Sequence, residues 1–101
     1  MVVVVFRSRL RNDAPEGFEA LRDRMMEIAK SMPGFISYKV YSNDDGERVS
    51  VHEWESEEDL RAWREHPEHV AAQNQGRTDY YSEYTLYVLN NPRESRFGKS
   101  E

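Results

Sequence analysis

One stretch of 22 residues, HEWESEEDLRAWREHPEHVAAQ (His52 to Gln73), holds all three histidines and both tryptophans of the chain. An imidazole titrating near neutral pH is the usual side chain for taking a proton from a weakly acidic group. His52 and His69 are the candidates for that role. His52 falls on a predicted strand face with Ser50 and Trp54, and His69 lies on a predicted helix. His66 is three residues before His69 and is read instead as the cap of the turn that Pro67 opens. A metal would need a third ligand, and Glu68 points elsewhere at helical spacing, so no metal site is expected. Trp63 lies three residues after Leu60, filling the space between helix and sheet and able to wall a cavity at the same time. Trp54 is expected to staple the helix entry. The acidic run Glu53–Asp59 reads as a solvated helix start. Tyr81 and Tyr84, on the last strand, are sheet aromatics in reach of such a cavity.

Those side chains need elements to hold them. VVVVFRSRL (Val2 to Leu10) is β-branched and aromatic without a breaker, and predicts a strand. NDAPE then predicts a helix start, with Asp13 as N-cap, Pro15 in the first turn and Glu16 three residues after the cap. Phe18, Leu21, Met25, Ile28 and Met32 recur at steps of three and four, the apolar stripe of an amphipathic helix that MPG ends. FISYKVYS alternates, placing Phe35, Ser37, Lys39 and Tyr41 on one face and Ile36, Tyr38 and Val40 on the other. NDDGE is a turn, and RVSVHEWE pairs back as a third strand. Ser56 caps a second helix, Pro67 opens a further helical turn through Gln75, and Gly76 ends it. YYSEYTLYVL (Tyr80 to Leu89) is the last strand, and the tail from residue 91 is polar. We expect one domain over 1–90 and a loose tail over 91–101.

At 101 residues, 38% hydrophobic and 33% charged, the chain supports one modest core. A net charge of −5 with no basic run argues against nucleic acid or an anionic membrane surface as partner. The absence of cysteine excludes disulfides and thiolate metal sites. MVVVVF meets Arg7 at once and is too short for a signal core or a membrane span, so a cytoplasmic protein is expected. No Rossmann or flavin phosphate loop occurs, and no cofactor is expected.

The order β-α-β-β-α-β predicts an α+β, ferredoxin-like fold: a four-stranded antiparallel sheet with its helices on one face. Both faces of the strands carry apolar residues, with Val3 and Val5 opposing Val2, Val4 and Phe6, and Tyr81 and Tyr87 opposing Tyr84 and Leu86. Helices on one side leave the other face wet and apolar, so a homodimer packed sheet to sheet is expected.

PGFISYKVY and a hairpin, then HEWESEEDLRAWREHPEHVAAQ, then YYSEYTLYV, together resemble the antibiotic biosynthesis monooxygenase domain family over roughly Val2 to Val88. The resemblance implies a dimeric α+β barrel with a ligand pocket in each subunit between sheet and helices. Family members that oxidise polycyclic phenols use dioxygen without metal or flavin. Haem-degrading relatives carry an Asn on the first strand, a Trp on the second helix and a haem-ligating His further along. At the matching positions this chain has Ser8, Trp63 and Gln73, and the departures at two of the three positions point away from haem. The resemblance thus adds Ser8 and Gln73 to Trp63 and Tyr81 as substrate-binding candidates. It implies a cofactor-independent monooxygenase acting on a small electron-rich aromatic, a phenol or hydroquinone. A non-catalytic dimeric module that binds a small ligand is the alternative, and a haem-binding relative a third.

Overall fold

The computed structural model describes residues 1–100. Its elements are β1 (Val2–Leu10), α1 (Phe18–Ser31), β2 (Phe35–Ser42), β3 (Arg48–Trp54), α2 (Glu57–Arg64), α3 (Pro67–Gln75), a π turn (Gly76–Tyr80) and β4 (Tyr81–Asn90). The strands form one four-stranded sheet in the order β2-β3-β1-β4, every neighbouring pair antiparallel. This is the ferredoxin-like α+β architecture read from the sequence, with three helices where the pattern also broke at Pro67. Among the described residues, no helix is long and apolar enough to cross a membrane.

The core lies between one sheet face and the helices. Val2, Val4, Trp54, Met25, Ile28, Ala29, Leu60 and Trp63 make it up, and Leu21, Met32, Phe35, Tyr38 and Ala72 pack against it. In β1 and β3 the buried residues follow the two-residue period of a strand: Val2, Val4 and Ser8, then Ser50, His52 and Trp54. The register sets Val4 opposite His52 and Val2 opposite Trp54, so the two faces superpose into one wall.

The local predictions fail in four places. Helix α1 starts at Phe18 behind Gly17, which takes a left-handed φ of 108° with no side-chain cap, rather than behind Asp13. The reason is that the Asp13 carboxylate is held by the Arg11 guanidinium, at 3.0 and 3.1 Å. In β2 the register slips between Phe35 and Ser37, so Phe35 shares the core face with Tyr38 and stacks edge-on against Trp54 at 5.7 Å. A bulge inverts a strand's face from that point, which strict alternation does not foresee. A second slip, at Arg9/Leu10, puts Tyr81 beside Tyr84, with ring centroids 5.8 Å apart, rather than opposite it. Finally, Gly76 has helical φ and ψ and leads into the π turn instead of ending the helix. Glycine is needed there because a Cβ would lie 2.6 Å from the Tyr81 ring.

The Ser56 reading agrees with the structure: its Oγ accepts from Asp59 N at 3.1 Å, and the acidic residues of the first turn face the free N–H groups. His66 caps α3, its Nδ1 accepting from Glu68 N at 3.1 Å. Among the described residues Trp54 is the one large side chain wholly removed from solvent, and it shares the core with Leu60 of α2.

Candidate active site

Between sheet and helices lies a cavity of about 370 Å³. His52, His69, Trp63, Ser8, Gln73 and Tyr81 all contribute to its wall. They arrive from β1, β3, β4 and the two helices α2 and α3, and the fold alone makes them neighbours. Gln73 is exposed and lies at the rim, whereas Ser8 is buried, opposite Arg48 on one side and Tyr84 on the other.

The closed end is a stack of rings. Trp63 lies between His69, at 3.8 Å and 21°, and Trp54, at 5.5 Å and 27°. His52 meets Trp63 edge-on at 5.1 Å, and Tyr38 stacks on His52 at 4.9 Å and 10°. Trp54 Nε1 donates to His52 Nδ1 at 2.8 Å. That bond fixes the neutral tautomer of His52: its Nδ1 lone pair is taken, and the ring proton sits on Nε2. His69 is different, because its Nδ1 is buried with no hydrogen-bond partner, and the same holds for Trp63 Nε1 and Arg22 Nε. Buried polar atoms normally find partners, and these three, all on residues that line the cavity, find none among the described residues.

Burial controls the protonation states. It pushes His52 down to about 4, and the neighbouring His69 adds to the effect. It pushes His69 to about 4 as well, partly opposed by the nearby carbonyls of Arg64 and Trp63. Burial also raises the phenol of Tyr38 and takes Tyr81 to about 12. At neutral pH both rings are therefore neutral and both phenols protonated.

Charge enters the cavity from a set that the sequence reading missed: Arg22, Arg48, Arg64 and Arg77 all line it. Arg48 was legible, since it continues the two-residue period of Ser50 and His52. The others sit on helical or π-turn backbone whose facing follows only from packing. Among the described residues, no group of three or more His, Cys, Asp or Glu side chains converges to hold a metal ion.

A family model described as Antibiotic biosynthesis monooxygenase matches residues 1–75. The chain is 31% identical to the uncharacterized protein YqjZ of Bacillus subtilis over 94 residues, 93% of this chain and 82% of that one. It is 37% identical to the tetracenomycin-F1 monooxygenase of Streptomyces glaucescens over 59 residues, which span 54% of this chain and 53% of the enzyme. Among solved structures, Rv0793 of Mycobacterium tuberculosis superposes with a TM-score of 0.81 at 27% identity, over 94% of this chain and 98% of that one. SnoaB of Streptomyces nogalater, a cofactor-independent oxygenase, shares the fold with a TM-score of 0.72 at 22% identity, over 93% and 94% of the two chains. With this fold and a family match covering 75 of its 101 residues, the chain belongs to the antibiotic biosynthesis monooxygenase family.

Proposed function

We propose that the protein is a monooxygenase that converts a phenol with an unsubstituted para carbon to the quinone, using dioxygen and no cofactor. The observation that carries the reading is the pairing, in one aromatic-walled cavity, of a buried unpartnered His69 Nδ1 with the buried unpartnered indole N–H of Trp63. The cofactor-independent activity in the name of SnoaB and the monooxygenase from Streptomyces glaucescens support the same class.

In this reading His69 is the base and His52 is not, because Trp54 already occupies the His52 lone pair. His52 instead offers its Nε2–H to the phenolate. The proton transfer is uphill on reference values: about 10 for a phenol against about 4 for His69 is roughly six units, or about 8 kcal/mol. The imidazolium–phenolate pair formed offsets about 4 kcal/mol at ~4 Å. Two charge-assisted hydrogen bonds, from His52 Nε2 and Trp63 Nε1, contribute about 1.5–3 kcal/mol each. The gap is thus nearly closed by groups on the wall. The phenolate passes one electron to dioxygen, and the phenoxyl radical and superoxide combine at the para carbon. Loss of the para proton and cleavage of the O–O bond leave a carbonyl and one water. Phenol and dioxygen thus give quinone and water with no outside reductant. The apolar wall keeps the radical pair from solvent.

We also propose that the protein works as a sheet-to-sheet homodimer, on the strength of the apolar residues that β4 leaves exposed. The catalytic reading is tested by oxygen uptake over a panel of phenols and hydroquinones, with chelator-treated protein. Uptake that saturates with one phenol supports it. Saturable binding of the panel without uptake would favour a ligand-binding module instead, and a Soret band in the purified protein a haem-binding one.

A further inference from the structure

The chain is acidic, with a net charge of −5, yet among the described residues no Asp or Glu lines the cavity and four arginines do. Three of these arginines are linked. Glu19 bridges Arg22, at 2.7 Å, and Arg48, at 3.4 Å. Arg48 lies over the Phe18 ring at 5.1 Å and pairs across the sheet with Ser8. Ser8 in turn pairs with Tyr84, whose hydroxyl accepts from Arg77 Nη1 at 3.2 Å. Arg77's other contact is the neutral Asn74 carbonyl, at 2.8 Å. Arg22 keeps its Nε buried and unpartnered. Among the described residues two carboxylates serve this group, Glu19 and, 3.3 Å from Arg22, Asp23; their side chains are 63% and 70% exposed and both sit outside the cavity wall.

From this we infer that the cavity takes an aromatic hydroxy acid: a phenol whose ring also bears a carboxylate, bound by Arg22, Arg48 and Arg77 while the hydroxyl lies toward His69. The inference rests on the proposed phenol oxidation for which end of the ligand reacts, but the carboxylate end stands on the arginines alone. Planar guanidinium groups match a carboxylate's two oxygens in a way that a lone phenolate oxygen does not exploit. Glu19 holds Arg22 and Arg48 in place in the free protein and competes with the ligand for them.

The test is a binding titration, read by quenching of tryptophan fluorescence, with two matched probes: 1-naphthol and 1-hydroxy-2-naphthoate. We expect the acid to bind about tenfold or more tightly at low salt, with the ratio shrinking as salt rises. Arg22→Gln and Arg48→Gln should each cut that ratio to about threefold or less. Glu19→Gln should raise it, an effect that a damaged fold cannot imitate. Equal affinities in the unmodified protein, a preference untouched by the arginine substitutions, or no binding of either probe would each overturn the inference. Oxygen uptake measured on the same samples separates the two claims. A bound acid that is never oxidised sinks the catalytic reading alone, and a neutral phenol bound as tightly and oxidised as fast as its acid sinks this one alone.

Discussion

A single hydrogen bond divides the two buried histidines into different tools. Trp54 Nε1 occupies His52 Nδ1, while His69 Nδ1 has no partner. His69→Gln should therefore lower turnover of an active phenol by about 10²–10⁴-fold, and His52→Gln by about tenfold. Unchanged turnover in both single variants and the double variant would remove histidine from the mechanism. With His69 held at about 4, the acid limb of kcat/KM should fall near that value and not near 6.5, because the ring stays a free base until then. The same shift bears on stability. Both rings titrate lower folded than unfolded, so between about 6.5 and about 4 the unfolded chain binds protons that the native one does not. Urea midpoints should drop as pH falls through that window, His52 alone contributing on the order of 2–3 kcal/mol. His52→Gln should flatten the slope, and a pH-independent midpoint would contradict the buried neutral rings. The sequence showed that His52 shares a strand face with Trp54, because period two carries that. It could not show the indole-to-imidazole bond, which depends on side-chain rotamers.

At the scale of elements, the entry to α2 is tied to the start of β2 through two residues of ordinary appearance. Gly34 has a φ of 80°, and a Cβ there would overlap the Asp59 carboxylate. Asp59 is meanwhile held by Ser56 Oγ at 2.9 Å, and Glu55 N donates to Gly34 O at 2.8 Å. Gly34→Ala should thus cost at least about 2 kcal/mol, from left-handed strain of about 1 kcal/mol and the displaced cap. Chemical denaturation checks this, and the cost should shrink when Asp59→Ala is already present. Additive losses would uncouple the two sites. Here the sequence was legible wherever one local rule governed: the Ser56 cap, the Pro67 restart, the stripe of α1 and the pairing of β3. It was not legible where a distant partner intervened, as when Arg11 takes Asp13 from its expected cap or a bulge turns Phe35 inward. The candidate site divided the same way. His52 and Trp63 followed from periodicity, Ser8 and Gln73 from a family resemblance, and Arg22, Arg64 and Arg77 from neither.

For the whole molecule the open question is what covers β4. Tyr87 and Leu89 lie beyond the helices and are each 45% exposed, as are Leu86 and Val88 at similar levels. Tyr87 pairs with Val5 and Leu89 with Val3, so the helix-free face carries a continuous apolar strip. Phe97, at 86% exposed, does not shield it. Each aromatic or branched side chain removed from water there contributes roughly 2 kcal/mol, against an association cost of about 4–15 kcal/mol. Five or six residues per subunit therefore suffice, and sedimentation at micromolar concentration should report a dimer that Tyr87→Lys converts to a folded monomer. A monomeric unmodified chain, or a dimer indifferent to that substitution, would count against sheet-to-sheet pairing. The most direct test of the central claim follows the oxygen atoms. Chelator-treated protein is given an active phenol under isotopically heavy dioxygen in ordinary water, and the product is weighed by mass spectrometry. The proposed reaction predicts one heavy oxygen in each quinone and the other in water, with one dioxygen consumed per phenol. A quinone whose new oxygen comes from solvent, or a yield of hydrogen peroxide equal to the dioxygen consumed, would contradict it.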